Sequence, residues 1–392
     1  MPLNELNKID IAGWRDNPNV STQIATAIEK ASWKKSPFEA ILGKGSDRGL
    51  RSYSVKNTQP YRPRLKAALT GAGVRGNADF ETNLDQLEIL SQTIYPEVIG
   101  NSLKSTIKQY QTIEQIDFVK EASDSLSDWI REKRDRALFA SLANDLTNCV
   151  VCDSANGFKD TTNEASVSQA SKKVTQDDVM NVKAIRQAIL MARTGKNYQG
   201  KDAFPMKPIR SVSHTEGGIS IENYSYIILL DSYAIDQLKR DPEWIAMQKV
   251  GVRGDKNRLF TGLVGIIDEC VVLDMGVSTP LQAGMLNSTI SDEDFRANIN
   301  EQNFSKIVPP SAYAGNTPVS IGFLIGASAL VMAGSDSVNF YIDDSQDAGR
   351  KTICGVDRLM AISKARFESH NDNLSVYADT DFAVIGLFSA YR

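Results

Sequence analysis

Gly71-Ala-Gly73-Val-Arg-Gly76 reproduces the spacing with which glycine-rich loops hold a dinucleotide pyrophosphate. That chemistry needs a buried strand before the loop and a helix after it, so that helix N–H groups meet the phosphates. The preceding stretch 63–70 (PRLKAALT) is no buried strand, and 77–80 (NADF) starts a glycine-packed helix poorly. A flexible loop tip is the better reading. Cys149-Val-Val-Cys152 has the spacing of half a zinc site or of a redox pair, yet no second pair follows and the chain holds only two histidines. Val150 and Val151 between the thiols favour cysteine as a small buried hydrophobe. His214 (in SVSHTEGG) and His370 (in ESHND) lie in polar surroundings with no nucleophile-elbow pattern beside them. Arg253-Gly-Asp255 is a tripeptide that arises too often by chance to carry weight. The expectation is a protein with no catalytic residue, no cofactor and no metal site. A nucleotide-binding oxidoreductase built on Gly71–Gly76 stands as the minority alternative.

The elements that would have to position such groups point elsewhere. From Thr112 to Thr147 there is no Gly or Pro, and Val119, Ala122, Leu126, Trp129, Ala137 and Ala140 recur on one helical face, with Lys133 the one interruption. The pattern predicts a helix over about 112–147, long enough to act as a spine. Ahead of it, helical turns are predicted over Ala25–Trp33 and Phe38–Leu42, the second with Ser36 as N-cap, Pro37 at the first helical position and Glu39 behind. Strand patterns at 51–55 and 87–98 flank a stretch broken by Pro60, Pro63, Gly71, Gly73 and Gly76, which reads as a long hairpin-like excursion. Thr175–Asp178 predicts a capped start for a helix over Val179–Ala192, ended by Gly195. Strands are predicted over Tyr226–Leu230, Glu269–Leu273, Val338–Ile342, Leu359–Phe367, Val376–Tyr377 and Phe382–Phe388. Helices are predicted at Tyr233–Leu238 and, from the apolar run IGFLIGASALVM, at Ile321–Met332. Residues 276–318 form a polar excursion.

Charge is sorted along the chain in an unusual way. Residues 30–76 carry eleven Lys or Arg against Glu39 and Asp47, a net of +9; residues 77–100 carry Asp79, Glu81, Asp85, Glu88 and Glu97 with no basic side chain, a net of −5. With −4 overall, everything outside 30–76 totals −13. A basic limb beside an acidic limb suits a segment that lies on other copies of the same chain, because such complementarity fixes partner and register. A hydrophobic fraction of 42% over 392 residues supplies a real core. Mild net acidity argues against a dedicated nucleic-acid reader. No apolar run approaches the ~20 residues of a membrane helix, and the opening residues show no secretory pattern. Four cysteines do not form a disulfide framework. A soluble protein made in a reducing cytosol is expected.

The order and spacing of several blocks over roughly 220–370 resemble the major capsid proteins of tailed bacteriophages, in particular a podovirus-type family with the HK-97-like fold. The first block is Tyr226-Ile-Ile-Leu-Leu-Asp-Ser-Tyr233 with Leu238-Lys-Arg-Asp-Pro-Glu-Trp244 and Met247-Gln248. The second is Asn257-Arg-Leu-Phe-Thr-Gly262, through Gly265 into Val271-Val-Leu273. The third is Ile325-Gly-Ala-Ser-Ala-Leu330, then Phe340, Tyr341, Asp343, Asp344 and Asp347-Ala-Gly349. Ile353-Cys-Gly355 and Lys364-Ala-Arg-Phe367 complete the set. The first half matches in layout more than in letters: the loop after Gly76 lacks the family's Gly-Asn-Glu turn, and 276–318 is idiosyncratic.

The resemblance implies an α+β HK-97-like capsid fold. It assigns an N-terminal arm to 1–46 and an extended β loop over a neighbouring subunit to 47–105. A peripheral domain takes 106–195 with 336–392, and an axial domain takes 196–335. The implied function is a structural major capsid protein, assembling into pentamers and hexamers of an icosahedral head around double-stranded DNA, with an encapsulin-like compartment shell as the alternative. Expected partners are copies of itself, separate scaffolding, portal and decoration proteins, and packaged DNA through non-specific contact. No membrane is expected, and the location is the virion, assembled in the host cytoplasm. Trp33, Phe38, Arg51, Arg62, Arg64, Lys66, Arg75, Asp79, Glu81, Asp85 and Glu88 are the expected subunit-interface residues, with Trp33 and Phe38 anchoring an arm that has no interior of its own.

Overall fold

Ser36 caps as its sequence foretells: its Oγ accepts from the Phe38 N–H, and a 3-10 helix runs from Pro37 to Ile41. It follows the arm helix Pro18–Lys34. The computed structural model describes residues 18–34, 36–66, 74–76, 79, 81, 89–105, 115–210, 214–216, 219–221, 224–251, 263–268, 270–276, 299, 307–308, 312–367 and 379–392. The expected strand Val376–Tyr377 lies outside them, as do Asp85, Glu88 and most of 67–88.

In chain order the first strands are β1 (Leu42–Gly43), β2 (Leu50–Ser54), β3 (Arg64–Lys66), β4 (Ile89–Ser91) and β5 (Glu97–Lys104). The spine helix Gln115–Ala143 comes next, then β6 (Cys149–Asp153), β7 (Gly157–Phe158) and a helix over Val182–Thr194. Short ribbons follow: β8 (Ile209–Arg210), β9 (His214–Glu216), β10 (Ile219–Ile221) and β11 (Tyr224–Ser225). β12 (Ile227–Leu230) leads into helices Ser232–Arg240 and Pro242–Gly251, β13 (Leu263–Ile267) and β14 (Cys270–Asp274). β15 (Val319–Ile325), β16 (Leu330–Gly334), β17 (Asn339–Ser345), β18 (Lys351–Lys364) and β19 (Val384–Ala390) complete the described chain.

Two sheets organise these elements. One has the order β1-β2-β16-β18-β17, with β5 on the other edge of β18; the second has the order β13-β14-β12-β15-β19-β6-β7. β15 and β19 are buried along their whole length, the pattern of strands covered on both faces. Ser320 Oγ and Asp231 join β15 to the helix Ser232–Arg240 on one side.

Three expectations are corrected. Ile321–Met332 is not a helix but the end of β15, a turn, and the start of β16. Twelve apolar residues without a polar face suit a buried strand as well as a buried helix, and tight packing decides: a Cβ on Gly326 would sit 2.7 Å from the Lys207 carbonyl oxygen. The helix expected at Val179 begins later, because Asn181 supplies the cap to the Ala184 N–H. Asp178 instead accepts from the Thr175 and Ser154 N–H groups and pairs with Lys159, closing a turn. The helix does end at Gly195, in the left-handed region at φ 68°. The third correction concerns the arm. Its helix packs on the spine helix, with Ala25 and Ile28 against Val119, Ala122, Leu126 and Ile130. Trp33, Phe38, Ile41 and Leu50 enter the main core. Residues 18–54 thus do have an interior, on their own body.

The strands also pair across the expected domain limits. β6 and β19 lie in the same sheet as β12 and β14, while β16 belongs with β18.

Candidate assembly surface

The hairpin-like excursion is built on a short ladder. β3 and β4 pair antiparallel with Arg64 opposite Ser91, Leu65 opposite Leu90 and Lys66 opposite Ile89. Tyr61 and Ile94 exchange both backbone hydrogen bonds at 2.8 Å just below it. Leu90 and Ile94 are buried in the main core, and the Tyr61 ring lies 4.8 Å from that of Tyr53. The outgoing limb carries Arg62 and Arg64 exposed to solvent, and Arg75, Asp79 and Glu81 are exposed as well. Lys66 takes its place in β3. Arg51 is different: its guanidinium lies over the Tyr53 ring at 4.9 Å, half-buried on β2. Burial raises the pKa of Tyr53 and of Tyr61, with the Arg51 charge opposing in both.

The expected arm anchors serve the same chain. Trp33 is 8% exposed and Phe38 1%. Beneath Trp33 the Arg134 guanidinium carbon sits 3.5 Å from a ring centroid, a cation–π contact out of water. Arg134 donates to Ser32 Oγ and to the Ser32 carbonyl. Ser36 Oγ donates to Asp135 at 2.7 Å. Burial pulls the pKa of Arg134 down to about 10, with Asp135 opposing. Asp135 is pushed up by burial, and the Ser36 hydrogen bond and Arg134 oppose that. Glu29 on the arm helix accepts two hydrogen bonds from Arg358 of β18, at 2.7 and 2.8 Å, and one from Trp33 Nε1. Buried charged pairs of this kind add little net stability but are costly to break.

A second buried knot closes the spine helix where it meets both sheets. Lys364 Nζ, at the end of β18, lies 2.8 Å from Asp381 and donates to the helix-end carbonyls of Asn144 and Asp145. Arg366 pairs with Asp145 and, at 2.9 Å, with Asp381. Asp381 also accepts from the Thr147 N–H. Burial alone would raise the pKa of Asp381; Lys364 and Arg366 override it and hold the carboxyl below its usual range. Lys364 is pulled down by burial, with Asp381 opposing.

A family model described as phage capsid protein matches residues 61–391. The chain belongs to the phage capsid protein family. The major structural protein ORF14 of Helicobacter pylori bacteriophage KHP30 is 45% identical over 402 residues, covering 99% of each chain. Among solved structures, the acid-stable capsid of that phage matches at 47% identity with a TM-score of 0.75, over 91% of this chain and 92% of the other. The head of Helicobacter pylori bacteriophage KHP40 matches at 46% with a TM-score of 0.77, over 96% and 98%. The capsid of cyanophage Pam1, at 15% identity and a TM-score of 0.64 over 91% and 93%, shares the fold. The capsid protein therefore has the α+β HK-97-like fold and is a major structural protein of a phage head, as the residue blocks of its second half imply.

The chemical motifs take ordinary places within the capsid protein. Cys149 and Cys152 lie buried in β6, and burial pushes both thiols up, Cys152 to about 12. Gly76 is in the left-handed region with open space about it, and β3 belongs to an antiparallel ribbon rather than to a parallel sheet feeding a helix. His214 lies on β9, and His370 falls outside the described residues. Among the described residues no helix is long and apolar enough to cross a membrane, and no cluster of three metal-ligating side chains occurs. No sequence pattern singles out Arg134, Asp135, Asp381 or Gln92, and Lys364 enters only as one letter of the block Lys364–Phe367. Arg134 adjoins Lys133, which stood out only as an interruption of the apolar stripe.

Proposed function

We propose that the capsid protein acts without catalysis, by head-to-tail association into pentamers and hexamers of an icosahedral shell that encloses double-stranded DNA. The observation that carries this reading is the rooted excursion. A ribbon is anchored in the core by Leu90 and Ile94, and the sequence joining its two strands is basic up to Arg75 and acidic from Asp79 onward. Arg62, Arg64, Lys66 and Arg75 on the one, and Asp79, Glu81, Asp85 and Glu88 on the other, would then meet opposite charges on neighbouring copies. A head-to-tail contact of this kind is heterologous and closes into rings. Each exposed pair contributes only about 0.2–1 kcal/mol, so many copies must act together.

Within this reading, 1–46 is the arm and 47–105 the extended loop. The peripheral body is 106–195 with 336–392, joined by β16, and the axial body is 196–335, joined by β6 and β19. Scaffolding, portal and decoration proteins would be separate chains, DNA contact non-specific, and assembly cytoplasmic before residence in the virion. Electron microscopy of the purified protein tests the proposal: closed shells or capsomer rings are expected, and a persistent monomer under all assembly conditions would overturn it. Reversing Arg62 and Arg64 to Glu should reduce particles while leaving the melting temperature of the unassembled protein nearly unchanged. A large fall in that temperature would mean that the limb belongs to the core.

A further inference from the structure

Gln92, two residues before Ile94 on the returning limb, makes more directed contacts than any apolar neighbour can. Its Nε2 donates to the Lys364 carbonyl at 2.7 Å and to Ser363 Oγ at 2.8 Å, and its Oε1 accepts from the Arg366 N–H at 3.4 Å. Its own N–H donates to the Pro63 carbonyl on the outgoing limb at 3.2 Å.

These partners lie on one edge of β18. On the opposite edge β18 pairs with β16, Leu330 facing Lys364, and Ala365 N–H continues the pairing to Ala329. On the first edge β5 pairs only from Ile353 to Met360. Past that point Ser141 Oγ donates to the Ile362 carbonyl, and Gln92 then takes the carbonyl of Lys364 and the N–H of Arg366. One planar carboxamide supplies the donor and the acceptor that a peptide group of a pairing strand would supply. Gln92 stands in for the missing strand.

The consequence concerns angle. Leu90 and Ile94 hold the root by burial, which is non-directional; the carboxamide fixes orientation through three hydrogen bonds. It ties the returning limb to the end of β18, beside the Lys364–Asp381 knot that closes the spine helix, and the Gln92 backbone N–H carries the tie to Pro63 on the outgoing limb. A chain of 22 residues, the number between Lys66 and Ile89, can travel out and back to at most roughly 36 Å from the root. A tilt of about ten degrees at the root therefore displaces the far end by up to about 6 Å, more than an ion pair spans.

We infer that Gln92 is a positioning residue for assembly, setting the angle at which the excursion leaves the body. This rests on the shell reading above, and the test separates the two. Spin labels at Arg75→Cys and Ser337→Cys report the excursion against the body in the unassembled full-length protein; the native cysteines are all buried. In the Gln92→Glu variant one oxygen still accepts from Arg366 while the other faces the Lys364 carbonyl, and Gln92→Ala removes the amide altogether. Both should broaden the label-to-label distance distribution and, without labels, reduce particle yield by about tenfold, the effect of ~1.4 kcal/mol per association step. Melting temperatures should stay within a few degrees of wild type. An unchanged distribution, a broadened one with normal yield, or a large loss of melting temperature each overturns the inference. If the wild type itself forms no shell, the assembly reading fails, and with it the role assigned to Gln92, whereas the distance measurement still decides whether Gln92 orients the excursion.

Discussion

Phe38→Ala separates an arm that seats on its own body from one that seats on a sister subunit. Phe38 is 1% exposed and lies among Trp33, Ile41 and Leu50 in the main core. A phenylalanine buries about 150–250 Å², worth roughly 4–6 kcal/mol at ~25 cal/mol per Å². Truncation to alanine keeps part of that and adds a cavity, and the usual outcome is a loss of about 3–5 kcal/mol. With a urea dependence of roughly 3 kcal/mol per molar for a large chain, the midpoint should fall by about 1–1.7 M. The assay is urea unfolding of dilute unassembled protein, followed by tryptophan fluorescence, since Trp33 belongs to the same core. An unchanged midpoint combined with lost assembly would refute the reasoning, because it would place the Phe38 pocket on another molecule.

Three further outcomes follow from the same packing. Asp231, capping the helix Ser232–Arg240, is pushed up to about 6 by burial, with the Ser320 and Ala234 hydrogen bonds opposing. The folded state then holds this proton more tightly than the unfolded chain, so the contribution is full below the ordinary carboxylate range and is lost as pH rises through 6. Wild type should gain on the order of 3 kcal/mol between pH 7 and pH 4 at this site; Asp231→Asn keeps a capping oxygen, and its urea midpoints should lack that gain. Lys364→Met leaves Asp381 buried with one cation fewer and strips two helix-end carbonyls of their donor, a loss of roughly 3–5 kcal/mol. Adding Asp381→Asn should recover part of it, and strictly additive losses in a double-mutant cycle would count against the knot. Gly195→Ala puts a Cβ 2.6 Å from the Pro205 nitrogen at φ 68°, whereas Gly200→Ala, at φ 74°, meets nothing within 4 Å. Gly200→Ala should cost about 1–2 kcal/mol of left-handed strain and Gly195→Ala distinctly more, as read from thermal unfolding.

What could be read from the sequence was local. Ser36 with Pro37, Gly195 at a helix end, the alternation in 51–55 and the apolar Tyr226–Leu230 each carry their signal within a few residues, and each forms as expected. The misreadings have one cause, that distant partners decide. The run 321–332 has no polar face to distinguish helix from strand, and its neighbours in the sheet come from 227–230 and 384–390. Asp178 fits a capping box by letter, but Lys159 and Ser154 draw it into a turn. Gln92 and Lys364 are 272 positions apart, beyond any pattern of period two or 3.6. The arm's apolar residues are few, which suggests that it has no core; Trp33, Phe38, Ile41 and Leu50 are all buried, so few suffice. The resemblance to a capsid family rests on blocks in the second half and does not need that premise.

The self-seated arm in turn constrains how the shell can be held together. Ordering a backbone costs about 1–2 kcal/mol per residue, so residues 18–54, if they became ordered only on association, would cost roughly 35–70 kcal/mol. Exposed ion pairs at about 0.2–1 kcal/mol each could not offset that, even with every charge on both limbs engaged. Because the burial of Phe38 and Ile41 and the Glu29–Arg358 pair order this segment within one chain, association needs to cover only what the excursion loses. Weak charged contacts then become sufficient, provided that the excursion arrives at the right angle. On the proposed reading, the root at Gln92, Leu90 and Ile94 and the charges beyond it act together: stability is settled inside the protomer, and the surface is left to select the partner.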